Sequence, residues 1–457
     1  MKQLVYFSRI FVGSLFVISG LIKANDPLGF SYKLGEYFEE SALGLPGLEP
    51  YALGLAMLAC LAEIVLGFAV IFGGKMKLAT WALLVLTVFF GWLTLYTATC
   101  DPQGTYNVVV DGVEMERGVT CVTDCGCFGD AMKGSIGRSL TPWESFYKDA
   151  ILFFFILPIF FVAVFGRGIS LNTSQEDKFM LPFSLLAIAI LSWVFTWYFP
   201  ILFALLVFVL YRFIKNSRNN PDWLIAIMVS VVSLLFMWVC YTYLPIRDYR
   251  PYAEGKNLIE QMKSAEELGV EAPEYVYDYT MVNQETGDER VITSKEYMDE
   301  KWWERKDWKL DKERTGKARK IKDGYEPPIT DFSFQSEEGD EASYLFLENE
   351  NPVLLVINYD VEKASNEMKE ISTLSEACIA KGIDVFGLSA SPMASIETFR
   401  HDHQLAFPYY QGDEKVLKTI VRANPGVLLL KDATILGKWP SSSLPTMSDL
   451  SERINNN

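Results

Sequence analysis

The sequence predicts an α-helical membrane bundle followed by an α/β soluble domain. Half of the 457 residues are hydrophobic. Over positions 1–246 they gather into runs long enough to cross a bilayer, which takes ~20 mostly apolar residues. Charge divides the chain at the same place. Residues 1–246 hold 15 Lys+Arg against 17 Asp+Glu, while 247–457 hold 26 against 40. From about 326 the pattern alternates between short apolar runs and amphipathic stretches, the order of an α/β sandwich. The acidic balance excludes a nucleic-acid partner, which calls for clustered positive charge.

The apolar runs are 4–22, 51–74, 78–99, 147–166, 181–199, 200–215 and 223–246. No small-residue cleavage site follows the first, so it reads as a retained helix. The run 181–215 is too long for one span of ordinary tilt. Pro200 follows three aromatics there, which predicts an interfacial turn between two short helices. The alternative is one long kinked helix. Seven spans would place Lys2, Lys75, Lys77, Arg167, Lys178, Arg212, Lys215 and Arg218 on one side. Positive loops mark the cytoplasmic side. This predicts a multi-pass protein of a bacterial inner membrane, with 23–50, 100–146 and everything after residue 244 in the periplasm.

Two ionisable residues fall inside spans, Arg9 and Glu63. An intramembrane charge is costly and faces a partner or a cavity. One expectation is a buried Arg9–Glu63 pair. The other is a polar cavity at Glu63 and Arg9 that binds a cofactor, a quinone, or carries a proton.

Four of the seven cysteines, Cys100, Cys121, Cys125 and Cys127, crowd the loop 100–146. Cys60, Cys240 and Cys378 stand alone in apolar or helical settings and suit inert packing. A loop facing an oxidising compartment is expected to form disulfides. Two inert staples, such as Cys100–Cys125 with Cys121–Cys127, are one outcome. A redox-active Cys125–Cys127 pair is another, since so small a ring is strained and labile. Cys100 and Cys121 would then form a relay pair. A zinc site would require all four to escape oxidation, and no other metal-ligand constellation is present.

Arg9, Ser19-Gly-Leu-Ile-Lys23, Asp26-Pro27, Glu63-x-x-x-Gly67 and Cys125-Gly-Cys127-Phe-Gly129 give the first 165 residues a resemblance to the DoxX / MauE family of membrane proteins. The Cys-x-Cys-Phe-Gly string resembles the MauE branch. The resemblance implies a four-helix membrane unit over 1–166 with a thiol-related role in maturing periplasmic disulfides. Additional spans over 181–246 would follow it.

Residues 247–325 form a linker in this division. It starts within Leu244-Pro-Ile-Arg-Asp-Tyr-Arg-Pro-Tyr252, whose prolines fix turns at the membrane surface. This string is similar to one in large Bacteroidota members of the DoxX group. Tyr275-Val-Tyr-Asp-Tyr and Arg290-Val-Ile-Thr flank a Gly-Asp turn and predict a β-hairpin. The charged stretch 301–323, which contains Trp302, Trp303 and Trp308, is expected as a solvated helix or loop with aromatic anchors.

In 326–457, a hairpin is expected to end at Tyr344-Leu-Phe-Leu. The run 352–358 has the continuous apolar character of a buried central strand. Residues 362–381 suit an amphipathic helix, 383–389 a strand, 394–405 a helix, and 424–439 a strand hairpin. This order resembles the thioredoxin-like fold, with Pro425 at the family's cis-proline position. The redox cysteines would fall at 359–363, where this chain has Tyr-Asp-Val-Glu-Lys. The resemblance therefore implies a domain without its own thiol chemistry, whose groove beside Pro425 binds a protein partner.

Two functions follow. One is an envelope scaffold that docks a partner beside Pro425, with a stapled loop. The alternative is a thiol–disulfide oxidoreductase coupling Cys125 and Cys127 to a quinone or a client protein, with Cys100 and Cys121 in exchange.

Overall fold

The computed structural model describes residues 2–101, 104–110, 113–122, 126, 128, 130–166, 173–217, 221–311, 316, 318–364 and 368–456. Cys125, Cys127, Arg167 and Arg218, singled out above, lie outside them. The chain forms two compact units, Met1–Thr99 with Val122–Gly255 and Phe332–Asn457, and Cys100–Cys121 with Lys256–Asp331.

In the first unit, α1 (Lys2–Asn25) is followed by α2 (Pro27–Phe38), α3 (Ala52–Phe72) and α4 (Met76–Thr99). The second unit takes in the hairpin β1 (Thr105–Val110) and β2 (Val113–Gly118). The first unit resumes with α5 (Ala131–Ile136), α6 (Pro142–Phe165), α7 (Ser174–Val194), α8 (Phe199–Ser217) and α9 (Asp222–Tyr243). Among the described residues seven helices are long and apolar enough to cross a membrane: α1, α3, α4, α6, α7, α8 and α9. The outward residues, such as Trp81, Val85, Phe89 and Trp92, are exposed and apolar, as a lipid-facing surface requires. Small residues let α1 and α3 approach closely. A Cβ added at Gly67 would lie 2.9 Å from both Gly13 O and Val17 N. Helices α7 to α9 share one core with α1 and α3, through Ile188, Val207, Tyr211 and Met237.

The run 181–215 is two helices, as expected, but the turn precedes Pro200. Helix α7 stops at Val194, Thr196 takes a positive φ of 50°, and Pro200 sits in the first turn of α8. A first-turn proline lacks only an N–H that would have no helical partner.

Contacts group the ends of the bundle. At one end Tyr6 donates to Glu176 at 2.7 Å, Lys215 pairs with Asp177 at 2.8 Å, and Lys75 N donates to Asp222 at 3.1 Å. This is the end that carries Lys2, Lys75, Lys77, Lys178, Arg212 and Lys215. At the other end Asn25 and Arg247 exchange hydrogen bonds of 2.7 and 3.1 Å, and Tyr249 donates to Phe195 O at 3.1 Å.

The rest of the second unit comprises α10 (Leu258–Met262), α11 (Ala265–Leu268), β3 (Glu274–Asn283), β4 (Glu289–Thr293), α12 (Ser294–Asp299), β5 (Trp308–Leu310) and β6 (Ala318–Lys322). The predicted hairpin is β3–β4, antiparallel from Asp278↔Thr293 to Val282↔Glu289. The stretch 301–323 is not a solvated helix or loop: β5 and β6 both pair with β3. Trp302, packed against Met281 and Ile292, is the nucleus that draws it in.

The C-terminal part of the first unit contains β7 (Phe334–Gln335), α13 (Tyr344–Leu347), β8 (Val353–Ile357), α14 (Met368–Ile379), β9 (Asp384–Ser389), α15 (Met393–Asp402), β10 (Tyr409–Gly412), α16 (Glu414–Ile420), β11 (Gly426–Lys431), β12 (Thr434–Pro440) and α17 (Met447–Asn455). Its six-stranded sheet runs β12-β11-β8-β9-β10-β7, with β8, β9 and β10 parallel. This is the α/β thioredoxin-like architecture expected from the sequence. Strand β8 is buried along its whole length, which accounts for its uninterrupted apolar run. Tyr344–Leu347 is a helical turn rather than the end of a hairpin. Strand β10 and helix α16 carry no long apolar run and went unpredicted.

Candidate functional site

Glu63 lies midway along α3 and is buried. Its partner is Lys23, not Arg9: Lys23 Nζ lies 2.5 Å from Glu63 Oε1. Helical side chains lean toward the helix N-terminus, so Lys23, near the end of α1, reaches back to the level of Gly20. There α1 touches Glu63 and Ile64. Arg9 sits two turns away along α3. It donates to Val70 O at 2.9 Å and Ile71 O at 3.0 Å, carbonyls that the end of α3 leaves without helical partners. The expected Arg9–Glu63 pair is therefore replaced by two separate devices, an ion pair and a helix cap.

A second ion pair, Lys148–Asp149, stands on α6, and Thr94 of α4 donates to Asp149 at 3.2 Å. Both pairs line one cavity with Ser19, Thr87, Phe90 and Phe128. Its water-accessible volume is about 20 Å³, room for one or two waters. That does not fit a quinone ring. Helix α6 starts more than a turn before the predicted span 147–166, which already holds both residues, because Thr141 and Glu144 form a capping box with Pro142 at the first helical position.

The cysteine loop meets this cavity through its described residues. Phe128 is buried, stacks near Phe195 at 5.1 Å, and has Lys148 Nζ 5.6 Å from its ring centroid. Gly126 has a positive φ of 62° and lies against Lys33 and Phe30 of α2. These two residues flank Cys127 in the chain. Cys100 and Cys121, in the second unit, are bonded to each other. This corrects the staple pairing Cys100–Cys125 with Cys121–Cys127. Cys60, Cys240 and Cys378 are buried free thiols, and burial pushes the Cys378 thiol up to about 11.

The thioredoxin-like part is fastened to the same end of the bundle. Asp26 caps α2, accepting from Gly29 N at 2.8 Å, and also accepts from Arg422 Nε at 3.1 and 3.0 Å. Burial pushes the Asp26 carboxyl up, but Arg422, Arg250 and the Gly29 N–H outweigh it and hold it below the usual carboxylate range. Asp248 binds Arg250 at 2.8 and 2.9 Å and also Lys438. Arg250 continues to Thr419 O at 2.8 Å. Burial and Arg250 push the Lys438 ammonium down to about 8, against the pull of Asp248.

Tyr359, which opens the 359–363 segment after β8, faces α2: its hydroxyl is 3.4 Å from that of Tyr32. Lys418 lies over both rings, at 4.7 and 5.5 Å. Pro425 follows a cis peptide bond and is buried. Neighbouring Asn424 donates to Asp360 O at 2.7 Å. The end of the sheet where a partner was expected beside Pro425 thus carries a contact with the chain's own α2.

Residues 1–102 match the family described as methylamine utilisation protein MauE. That is less than a quarter of the chain. No curated protein matches it. Among solved structures, a solution structure of a protein assigned as a thioredoxin from Neisseria meningitidis is similar, at 19% identity and a TM-score of 0.23. It covers 28% of this chain and 86% of its own. The chain is thus a multi-pass membrane protein that is similar to MauE over residues 1–102.

Proposed function

We propose that this protein is a thiol–disulfide exchange protein of a bacterial inner membrane, with Cys125 and Cys127 as its working pair. One observation carries the reading. The Cys100–Cys121 bond takes two of the four loop thiols, leaving Cys125 and Cys127 for each other or for a client. Their chain neighbours Gly126 and Phe128 rest on Lys33 and on the rim of the polar cavity. The gathering of Lys2, Lys75, Lys77, Lys178, Arg212 and Lys215 at the opposite end supports a periplasmic setting for the loop, as does a disulfide within it.

In this reading a client dithiol is oxidised by two electrons while the Cys125–Cys127 disulfide is reduced to two thiols. The bundle is of the DoxX / MauE type. The C-terminal domain, which has Tyr359 to Lys363 where thioredoxins carry cysteines, takes no electrons. It positions the loop and meets the client.

A scaffold function is the second reading, favoured by that same thiol-free segment. Alkylation trapping in growing cells separates the two. The exchange reading expects Cys125 and Cys127 in a mixed redox state. It also expects Cys125→Ser and Cys127→Ser to abolish client disulfides at normal protein level. Loss of folding yield alone, with permanently oxidised thiols, would establish the scaffold instead.

A further inference from the structure

We infer that the segment 45–51, between α2 and α3, is a lipid-surface anchor. The row formed by Leu45, Leu48 and Tyr51 lies in the headgroup layer at the Asn25–Arg247 end of the bundle, in contact with phospholipid. Pro46 and Pro50 lack the N–H groups that an α-helical ladder needs. The segment turns instead as a 3-10 helix, Pro46–Tyr51, with Leu48 N donating to Leu45 O at 2.9 Å. In such a helix side chains three residues apart eclipse. Leu48 and Tyr51 therefore stand in one row, which Leu45, the residue before the helix, extends. All three are exposed. Glu49, the one charged residue in 45–51, falls on another edge.

Two observations put lipid on this row. The first is its level. At about 1.5 Å per residue, the 21 residues of α3 by themselves cross a hydrocarbon core of about 30 Å. The residues just before Ala52 therefore emerge in the headgroup layer. Tyrosine is enriched there, its ring in the apolar layer and its hydroxyl in water. The second is continuity. Tyr51, Gly54 and Leu58 follow the three- and four-residue spacing of one helix face, and all are exposed. The row thus prolongs the lipid-facing flank of α3, with no charged residue between.

The row is also held in place by the protein. Tyr96, near the end of α4, donates to Ala42 O at 2.8 Å, and Tyr37 of α2 shares a hydrogen bond of 2.7 Å with Thr97. These bonds tie α2 and the chain leaving it to α4, so contact with lipid needs little further ordering. The consequence falls on α2, which meets the C-terminal domain through Tyr32 and Tyr359. An anchor at 45–51 sets the height of α2 in the membrane, and with it the height of the domain that rests on α2. Recognition is apolar. An anionic headgroup calls for clustered Lys and Arg, and 45–51 has none.

The test uses the full chain in phosphatidylcholine nanodiscs, with the photoreactive residue benzoylphenylalanine in place of Leu48, Tyr51, Val85 or Ile379. Val85 is exposed on α4 within its span, and Ile379 is exposed at the end of α14, in the C-terminal domain. After illumination, positions 48 and 51 should carry lipid adducts, identified by mass, at the yield of position 85. Position 379 should carry none. Replacing part of the lipid with phosphatidylglycerol should leave the yields unchanged. Leu45→Asp with Leu48→Asp should abolish the adduct at 51, because carboxylates leave an apolar layer, and should leave the adduct at 85. Adducts at 48 and 51 no more frequent than at 379, while 85 reacts, overturn the anchor. Protein adducts in place of lipid ones also overturn it and make the row a contact with a second copy or a partner. A yield that rises with phosphatidylglycerol overturns the apolar recognition.

Discussion

Asp26 performs two tasks with one carboxylate, and substitutions can separate them. Asp26→Ala removes both the cap on α2 and the partner of Arg422. Asp26→Asn keeps a good cap and removes only the charge. A lost cap costs about 1 kcal/mol. Breaking a fully buried ion pair costs about 3–5 kcal/mol. Here the Asp26 side chain is 23% exposed and that of Arg422 9%, so about 2 kcal/mol is the discounted figure. The expected loss of docking free energy is thus about 2 kcal/mol for Asn and about 3 kcal/mol for Ala. Hydrogen exchange at the bridging amides reads it directly. Gly255 N, bonded to Ile435 O at 2.8 Å, and Lys438 N, bonded to Glu254 at 3.1 Å, should exchange about 30-fold faster in Asn and about 160-fold faster in Ala. The acid dependence has a definite sign. Asp26 is held below its ordinary value, so its contribution is complete above about pH 4 and is lost as pH falls through the folded value. Asp26→Asn should lack that acid loss. Amides that exchange within twofold of wild type in both variants would refute the idea that this ion pair fastens the domain.

Cys100→Ser with Cys121→Ser removes a staple across a sequence separation of 21. It should cost the loop about 3 kcal/mol, seen as faster protease cleavage within 105–118. Gly67→Ala places a Cβ 2.9 Å from Gly13 O and Val17 N and should lower stability in detergent by about 1–3 kcal/mol, measured by thermal unfolding. Arg9→Met strands the Val70 and Ile71 carbonyls. It should cost about 2 kcal/mol yet leave the rate of dithiol exchange unchanged; a change in that rate would give Arg9 a part in the chemistry.

Much of the fold was legible because lipid imposes a simple code. Seven apolar runs became seven long apolar helices among the described residues, since every backbone group in a bilayer must be bonded within its own helix. The site was harder to read. Glu63 was visible as a charge inside a span, but its partner was not, because Lys23 reaches its level only through a long side chain bent back along α1. Lys148 and Asp149 lie inside the predicted span 147–166, but no local pattern marks them as sharing a cavity with Glu63. Trp302 concealed strands in a stretch that composition alone called solvated. The link from Asp26 to Arg422 spans nearly the whole chain, and no local pattern encodes it.

The contact of the C-terminal domain with α2 bears on the proposed exchange. Tyr359, which follows β8, meets Tyr32 on the helix that also carries Lys33 and Phe30 against Gly126. The domain therefore meets, within one chain, the helix that supports the cysteine loop. A second thiol pair at 359–363 would compete with a client for Cys125 and Cys127. A hydroxyl pair with Lys418 stacked over both rings holds the same contact without that competition. The prediction is that Tyr359→Cys turns this contact into an intramolecular thiol trap. Its thiolate should attack the Cys125–Cys127 disulfide, release one loop sulfur as a thiol and form a mixed disulfide with the other, suppressing client turnover, and a mass-mapped cross-link between positions 359 and 125 or 127 would report it. Unaltered turnover with a reduced, alkylatable Cys at 359 would mean that the contact with α2 does not bring that segment within reach of the loop.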